Sequence, residues 1–437
     1  MHNRLDARSL CLSVLAAVEN NCPCQEALAS IPPNDLPPNE RHLLVELVYG
    51  ILRTEIRLQA LLEHYQHQNK ALPNTLRHIF FLALYSILFL ERIPPHAVLH
   101  SAVQMAKERF GQGLGNFVNA VLRRILEDRD TLASIECVRR ANDPNEDQLI
   151  NTLATFYSLP SWLLRFWIEH YGFGNALLLA KQSITKPRIG ILLTNNAQGN
   201  AMAKSLEKQC GVEQISSLGF SLTTEAYQNF CYEHNAAHLH TQGAFSYLSS
   251  GSQWVLNALG LSTWKEPVWD MCAGFGGKSG ALANWRVPVS LCTDISQKRL
   301  LGLTKDFARR HLPLPLCCVA SGTMPPLSHF DGNILIDAPC SGLGILQRRP
   351  DIRRNRTKKR SIRLFPKQQE ALLTMGLRYL TPKHELCYIT CTHNPLENGL
   401  LVRAVLENSG CDLVAEWETP FENPHIEGMY GALIRRS

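Results

Sequence analysis

The sequence lacks several features that would place it in other classes of protein. No apolar run reaches the roughly 18 residues of a membrane-spanning helix. The run that comes nearest, residues 79–90 (IFFLALYSILFL), suits a buried helix. The amino-terminal MHNRLDARSL contains no apolar stretch of the kind found in secretory signal peptides. We therefore expect a cytoplasmic protein that is not associated with a membrane.

Its cysteines also lack the spacing of a metal or redox site. The 437 residues include 14 cysteines but no CxxC pair, the commonest zinc and thioredoxin-like spacing. Cysteines scattered over a long chain are typical of free thiols in a reducing compartment. The net charge, 44 − 38 = +6, permits a nucleic-acid partner without arguing for one. With 45% apolar and 19% charged residues, the chain should fold into about two to four globular domains.

The pattern of apolar residues changes along the chain. Residues 1–135 place apolar side chains at spacings of three and four between prolines, which predicts a helical bundle. A polar stretch at 130–148 predicts a linker, and residues 149–250 predict a helical segment followed by a small α+β module. From residue 251 short apolar runs alternate with helical stretches, which predicts an α/β Rossmann-like domain with a mostly parallel sheet. Its candidate strands are 268–271, 289–293, 316–320, 333–336 and 386–390.

A glycine-rich segment follows the first candidate strand of the α/β domain. It reads Cys272, Ala273, Gly274, Phe275, Gly276, Gly277 and Lys278. Its spacing fits neither GxxxxGK[ST] nor GxGxxG, but three glycines let the backbone approach a ligand closely. Asp294 follows the second strand, where an acid either caps the next helix or binds the ribose hydroxyls of a nucleoside cofactor. Beside the glycine turn, the cofactor interpretation is favoured.

Two cysteines follow the fourth and fifth candidate strands, in DAPC and ITC. We expect Cys340, with Asp337 before it, and Cys391 to lie at the ligand-binding edge, where the carboxyl ends of parallel strands meet. A zinc site that adds Cys387 and His393 is disfavoured, because four residues of strand place Cys387 about 13 Å from Cys391. We therefore expect no metal at this edge.

A basic run comes directly after the DAPC loop. Residues 348–363 contain nine lysines or arginines in sixteen positions. Such a run is often only a solvated face, but next to a candidate active site it favours contact with a phosphate backbone. The residues predicted to make this contact are Arg348, Arg349, Arg353 and Arg354.

Taken together, these motifs resemble those of the Sun/Nop family of RNA cytosine-5 methyltransferases. The resemblance rests on DMCAGFGGK, CTDIS, LIDAPCSGLG, RRPDI, YITCTHNPLENG and the carboxyl-terminal EGMYGALIRR. LVYGILR, PPHAVLHSAV and NFVNAVLRR near the amino terminus are similar to the family's NusB-like helical domain. The resemblance implies a NusB-like RNA-binding domain at 1–135, a helical linker and small α+β RNA-binding module at 149–250, and a methyltransferase domain at 251–437.

The resemblance also implies roles for single residues. S-adenosylmethionine would bind residues 272–278, Asp294 and Asp337. Cys391 would be the nucleophile, Cys340 would assist product release, and Asp337 would contact the target base. The implied substrate is 16S ribosomal RNA and the implied state a monomer.

Two departures from the family pattern leave alternatives open. Gly274 and Phe275 replace an Ala-Pro pair, and Ala320-Ser321-Gly322 stands where the family has an aspartate for the adenine. One alternative is a catalytically weakened paralogue that binds RNA in ribosome assembly. The other is the same chemistry on transfer RNA.

Overall fold

The computed structural model describes residues 6–32, 36–66, 71–128, 132 and 146–436. The predicted linker at 130–148 lies mostly outside these residues. The chain divides into two compact units, Met1–Thr185 with Leu346–Asn355, and Lys186–Ile345 with Arg356–Ser437. The domain boundaries drawn from the sequence stay a prediction.

The first unit is helical throughout its described residues, as the apolar spacing predicts. Several helices begin directly after a proline, whose fixed φ suits a helix start and whose missing N–H loses no helical hydrogen bond there. Residues 79–87 of the run at 79–90 are buried in the helix Asn74–Phe89, whereas Phe89 at its end is 38% exposed. The helices are Ala7–Glu19, Cys24–Ala29, Pro38–Tyr65, Asn74–Phe89, Pro95–Phe110, Gln112–Glu127, Glu146–Phe156, Ser161–Ile184 and Ile352–Asn355. No helix of the described chain is both long and apolar enough to cross a membrane.

The second unit contains a small antiparallel sheet of four strands. The strands are β1 (Ile189–Leu193), β2 (Val212–Gln214), β3 (Gly219–Leu222) and β4 (Phe245–Tyr247), in the order β2-β3-β1-β4. The helices of this part are Ala197–Leu206, Thr224–His234, Ala236–Thr241 and Ser250–Ala258. The predicted α+β module is thus present in the structure.

A larger sheet of seven strands follows in the same unit. Its strands are β5 (Val268–Asp270), β6 (Val289–Asp294), β7 (Leu316–Val319), β8 (Asn333–Asp337), β9 (Glu385–Thr390), β10 (Cys411–Glu418) and β11 (Tyr430–Arg436). Their order is β10-β11-β9-β8-β5-β6-β7. β5 to β9 pair in parallel, whereas β11 pairs antiparallel with both β9 and β10. The predicted mostly parallel sheet is confirmed, and the antiparallel strands β10 and β11 extend it at one edge.

The strand order determines which loops meet. β8 lies between β5 and β9, so the loops after these three strands leave the sheet side by side at its carboxyl edge. The main helices around the sheet are Gly277–Asn284, Gln297–Arg309, Phe365–Tyr379 and Gly399–Leu406.

Candidate active site

The two cysteines expected at the sheet edge lie in contact. Parallel pairing places Asp337, at the end of β8, opposite Ile389 near the end of β9. Cys340 and Cys391 follow, and their Sγ atoms lie 2.9 Å apart. The backbone N–H of Cys391 also donates to Cys340 Sγ, at 3.3 Å. A ligand bound at this edge of the sheet can therefore contact both thiols at once.

The two thiols differ in their surroundings. The hydrogen bond with Cys391, together with burial, raises the pKa of the Cys340 thiol well above its usual range. Cys340 therefore stays protonated near neutral pH. A thiol that stays protonated is a poor nucleophile, since only a thiolate attacks efficiently, so this environment disfavours Cys340 for that role.

An ion pair lies beside the thiols. Lys278 Nζ donates to Asp337 Oδ2 at 2.6 Å. Burial disfavours the charged ammonium, but the attraction of Asp337 outweighs it and raises the pKa of Lys278. Lys278 and Asp337 thus hold each other as a charged pair at the end of β8.

The glycine-rich loop after β5 owes its shape to its backbone. Gly274 and Gly276 have φ angles of 56° and 80°, in the left-handed region. A Cβ on Gly274 would meet open space, whereas a Cβ on Gly276 would lie 2.5 Å from Leu303 Cγ. Phe275, between them, is 61% exposed. The loop therefore leaves room beside Gly274 for a ligand that approaches the backbone.

A buried carboxylate at the end of β6 supports that loop. Asp294 Oδ2 accepts from the N–H of Gly274 at 3.0 Å, and Oδ1 accepts from the N–H of Ser296 at 2.8 Å. Ser296 caps the helix that follows. Asp294 thus holds both the glycine-rich loop and the start of the next helix, and its contact with a cofactor ribose stays a prediction.

Asp270 is a further acid that the sequence analysis did not single out. It ends β5, is fully buried and accepts from the N–H of Cys272 at 3.2 Å and from the hydroxyl of Ser279. Burial raises the pKa of Asp270 to about 7. The only feature of the sequence that could have indicated a role for Asp270 is its position just before the glycine-rich segment.

Ser321 is the residue that the family resemblance would replace by an aspartate for the adenine. Its hydroxyl is hydrogen-bonded to Thr323 Oγ1 at 2.8 Å and accepts from the Thr323 N–H at 3.3 Å. The Ser321 hydroxyl is therefore already hydrogen-bonded within the protein, to Thr323.

Arg353 and Arg354, two of the arginines predicted to bind RNA, make side-chain contacts with residues far away in the sequence. Arg353 is 7% exposed and donates to the carbonyl of Ser183. Arg354 forms a two-pronged ion pair with Glu55. The burial of Arg353 argues against a phosphate contact for that side chain, because a buried guanidinium meets no RNA backbone.

The other two arginines are half-buried. Arg349 lies 3.4 Å from Asp351 through its Nε, and Arg348 is neither fully exposed nor buried. Their contact with RNA stays a prediction. Lys358, Lys359 and Arg360, farther along the same basic run, are exposed.

A buried polar network lies behind the two thiols. Its centre is Glu397, which is 0% exposed and accepts hydrogen bonds from Ser341, Gln369 and Asn394. Glu397 and Asn394 belong to the motif YITCTHNPLENG, whose pattern alone gives neither of them a role.

The open glycine turn, the acid after β6 and the charged pair after β8 fit an adenosyl cofactor at the carboxyl edge of a parallel sheet. These features fit the class of S-adenosylmethionine-dependent methyltransferases.

Comparison with known proteins agrees with this class. Residues 5–127 match the NusB family, and residues 259–428 match the family described as 16S rRNA methyltransferase RsmB/F. A probable ribosomal RNA small subunit methyltransferase B of Bacillus subtilis is 30% identical over 415 residues, which cover 92% of this chain and 89% of the relative. The ribosomal RNA small subunit methyltransferase B of Vibrio cholerae is 27% identical, covering 85% and 82%. The chain therefore belongs to the ribosomal RNA small subunit methyltransferase B family.

Solved structures share its fold. The crystal structure of PH0851 matches with a TM-score of 0.74 at 18% identity, covering 99% of both chains. A methyltransferase homologue from Pyrococcus horikoshii matches with a TM-score of 0.56 at 21% identity, covering 66% of this chain and 99% of that one.

Proposed function

We propose that the protein methylates C5 of a cytosine in 16S ribosomal RNA through a covalent bond between Cys391 and C6 of the base. The observation that carries this proposal is the 2.9 Å contact between the Cys340 and Cys391 sulfurs. A protein that only binds RNA has no need of two thiols in contact at the ligand-binding edge.

The chemistry explains the first thiol. C5 of cytosine is a poor nucleophile while the ring is aromatic. Addition of the Cys391 thiolate to C6 breaks the aromaticity and makes C5 nucleophilic. Bound S-adenosylmethionine supplies an electrophilic methyl group. We assign its binding to residues 272–278, Asp294 and Asp337.

The ion pair beside the thiols would orient the base. Asp337 accepts from Lys278 through Oδ2, and we assign Oδ1 to the N3–N4 edge of the cytosine. Attack of the Cys391 thiolate at C6 moves negative charge onto N3, and a proton taken up there from water neutralises it. The carboxylate of Asp337 then accepts a hydrogen bond from the resulting N3–H. Lys278 keeps that carboxylate in place.

The second thiol would serve product release. When the C5 proton is lost to a base, the C6–S bond breaks and its electron pair returns to Cys391. The protonated Cys340, in contact with that sulfur, donates a hydrogen bond to the departing thiolate.

The RNA must present an accessible base. A stacked cytosine cannot reach the sheet edge, and extruding it costs a few kcal/mol, least where pairing is weak. We therefore expect the target in a loop or a weakly paired segment, and we expect the NusB-like and α+β parts to bind the surrounding RNA. By the family resemblance the enzyme acts as a monomer in the cytoplasm, where ribosomes assemble.

A methyl-transfer assay tests this function. The protein is incubated with methyl-labelled S-adenosylmethionine and with unmethylated 16S ribosomal RNA or transfer RNA, and the RNA is digested and its nucleosides separated. We expect labelled 5-methylcytidine from 16S RNA with the wild type and none with Cys391→Ala. Label in transfer RNA alone would assign a different substrate. RNA binding with no label would favour the weakened paralogue.

A further inference from the structure

Glu397 lies between the loops that carry the two thiols. It follows Cys391 in the motif TCTHNPLEN, and its side chain is fully buried. Its Oε2 accepts from the backbone N–H of Ser341 and from Gln369 Nε2, both at 2.8 Å, and its Oε1 accepts from Asn394 Nδ2 at 2.7 Å. One carboxylate therefore connects three separate segments of the chain.

Each of these contacts is close to a thiol. Ser341 directly follows Cys340. Gln369 also donates to the carbonyl of Pro339, directly before Cys340, at 3.0 Å. The residues on both sides of Cys340 are thus connected to Glu397.

The loop of Cys391 is connected to Glu397 through the side chain of Asn394. Asn394 lies three residues after Cys391, and its Nδ2 donates to the Ser361 carbonyl as well as to Glu397. Its Oδ1 accepts from the N–H of Leu396 at 3.1 Å. Because Nδ2 donates and Oδ1 accepts, the orientation of the Asn394 amide is fixed. Exchanging the two atoms by a flip would break the hydrogen bonds on both sides.

All three partners of Glu397 are donors, which determines the state that the network needs. An ionised carboxylate only accepts, and it satisfies all three N–H groups. A protonated one would direct its own O–H at an N–H. Burial raises the pKa of Glu397, and the hydrogen bonds oppose that shift.

We propose that Glu397 is a positioning residue that holds the loops of Cys340 and Cys391 at the separation and orientation catalysis requires. Its consequence for catalysis rests on the proposed function, whereas its effect on the distance between the thiols does not.

Glu397→Gln is the direct test, because it keeps the size of the side chain and replaces one acceptor by a donor. Its amide must then face either Ser341 N–H or Asn394 Nδ2, and neither can accept. Gln369→Met is the milder second variant, since it removes one donor and leaves the carboxylate. Glu385→Gln is the matched control, because Glu385 lies at the opposite end of β9 and accepts from Trp264 and Arg435.

The first readout is the disulfide equilibrium between Cys340 and Cys391 in the full-length protein. Oxidised glutathione takes two electrons, the two cysteine sulfurs form a bond, and two reduced glutathiones are released. Peptide mass mapping identifies this disulfide among the 14 cysteines. We expect the equilibrium constant to fall about tenfold or more in Glu397→Gln, by less in Gln369→Met, and not at all in Glu385→Gln.

The second readout is single-turnover methylation of 16S RNA as a function of pH. In Glu397→Gln we expect the rate to fall about tenfold to a hundredfold, with unchanged affinity for S-adenosylmethionine. The wild type should lose rate at acid pH as Glu397 is protonated, and the Gln variant should lack this part of the profile. Thermal unfolding and calorimetric cofactor binding establish that each variant is folded.

The outcomes separate the two ideas. An unchanged disulfide constant in both network variants would overturn the positioning role, whether or not the wild type methylates RNA. If the network variants have a reduced disulfide equilibrium constant but the wild-type protein does not methylate RNA, the positioning role is retained and the proposed function is refuted.

Discussion

The thiol loops and the cofactor loop leave the same edge of the sheet but are held in different ways. The thiol loops are connected by side chains, through the Glu397 network and through Ser341 Oγ and Thr392 Oγ1, 2.8 Å apart. The glycine-rich loop is shaped by positive φ angles at Gly274 and Gly276, and Phe275 between them is largely exposed. The two thiols thus depend on particular side chains for their position, whereas the glycine-rich loop depends on its backbone.

The largest effect should come from removing the nucleophile. Cys391→Ala should lower single-turnover methylation at least about 10⁴-fold, because no other group forms the bond to C6. The free energy of unfolding should change by less than about 1.5 kcal/mol, as for one small side chain. Cys317→Ala is the control, since that cysteine is exposed on β7. Residual methylation by Cys391→Ala within tenfold of the wild type would refute the assignment.

The charged pair should come next. Lys278→Met leaves the Asp337 carboxylate without its cation, so we expect kcat/KM for RNA to fall about 10²–10³-fold. Steady-state kinetics with saturating S-adenosylmethionine measures this. Arg299→Met is the comparison, because Arg299 is a surface cation 3.8 Å from Asp294. Equal losses in both variants would remove the special role of Lys278.

Two glycine variants should separate backbone conformation from space. Gly276→Ala has an unfavourable φ and a Cβ that meets Leu303, and should cost about 1–3 kcal/mol of stability. Gly274→Ala has the strained φ but open space, and should cost about 1 kcal/mol. Chemical denaturation compares them. A larger cost at Gly274 would contradict the account of this loop.

The buried Asp270 gives a pH-dependent prediction. Burial raises the pKa of Asp270 to about 7, so the folded state binds this proton more tightly than the unfolded chain. Its stabilising contribution is present below about pH 4, the ordinary value for aspartate, and is lost as the pH rises through about 7. Relative to Asp270→Asn, the wild type should lose at most about 1.4 kcal/mol of stability per pH unit in this window. Urea unfolding at several pH values measures the difference, which a pH-independent value would contradict.

The smallest effect should come from the exposed ring. Phe275→Ala should change the dissociation constant for S-adenosylmethionine by less than about threefold, since a largely solvated side chain contributes little. Isothermal calorimetry measures this constant. A tenfold loss would show that the ring contacts the cofactor and that the loop depends on a side chain after all.

Local sequence patterns predict that both thiols lie at the carboxyl edge of the sheet. The apolar runs before Cys340 and Cys391 predict strands, and the geometry of parallel sheets places their ends at one edge. The contact itself depends on β8 and β9 being neighbours, which strand patterns alone do not determine.

The network and the partners of the basic run are beyond such patterns. Glu397 and Gln369 are 28 residues apart, and Arg354 and Glu55 are 299 apart. Contacts of this kind follow from tertiary packing. The sequence RRPDIRR alone therefore predicts a solvated face or an RNA contact, and it does not indicate the partners of its arginines within the protein. Asp270 is similar, because its raised pKa comes from burial that the motif does not reveal.

The covalent step tests the central claim most directly. Wild type, Cys340→Ala and Cys391→Ala are expressed in bacterial cells, and the protein is run on a denaturing gel with and without ribonuclease. The account predicts slow-migrating, ribonuclease-sensitive protein only in Cys340→Ala, because Cys391 forms the bond to RNA and Cys340 is needed to release it. An adduct in Cys391→Ala, or none in Cys340→Ala although RNA co-purifies, would contradict it.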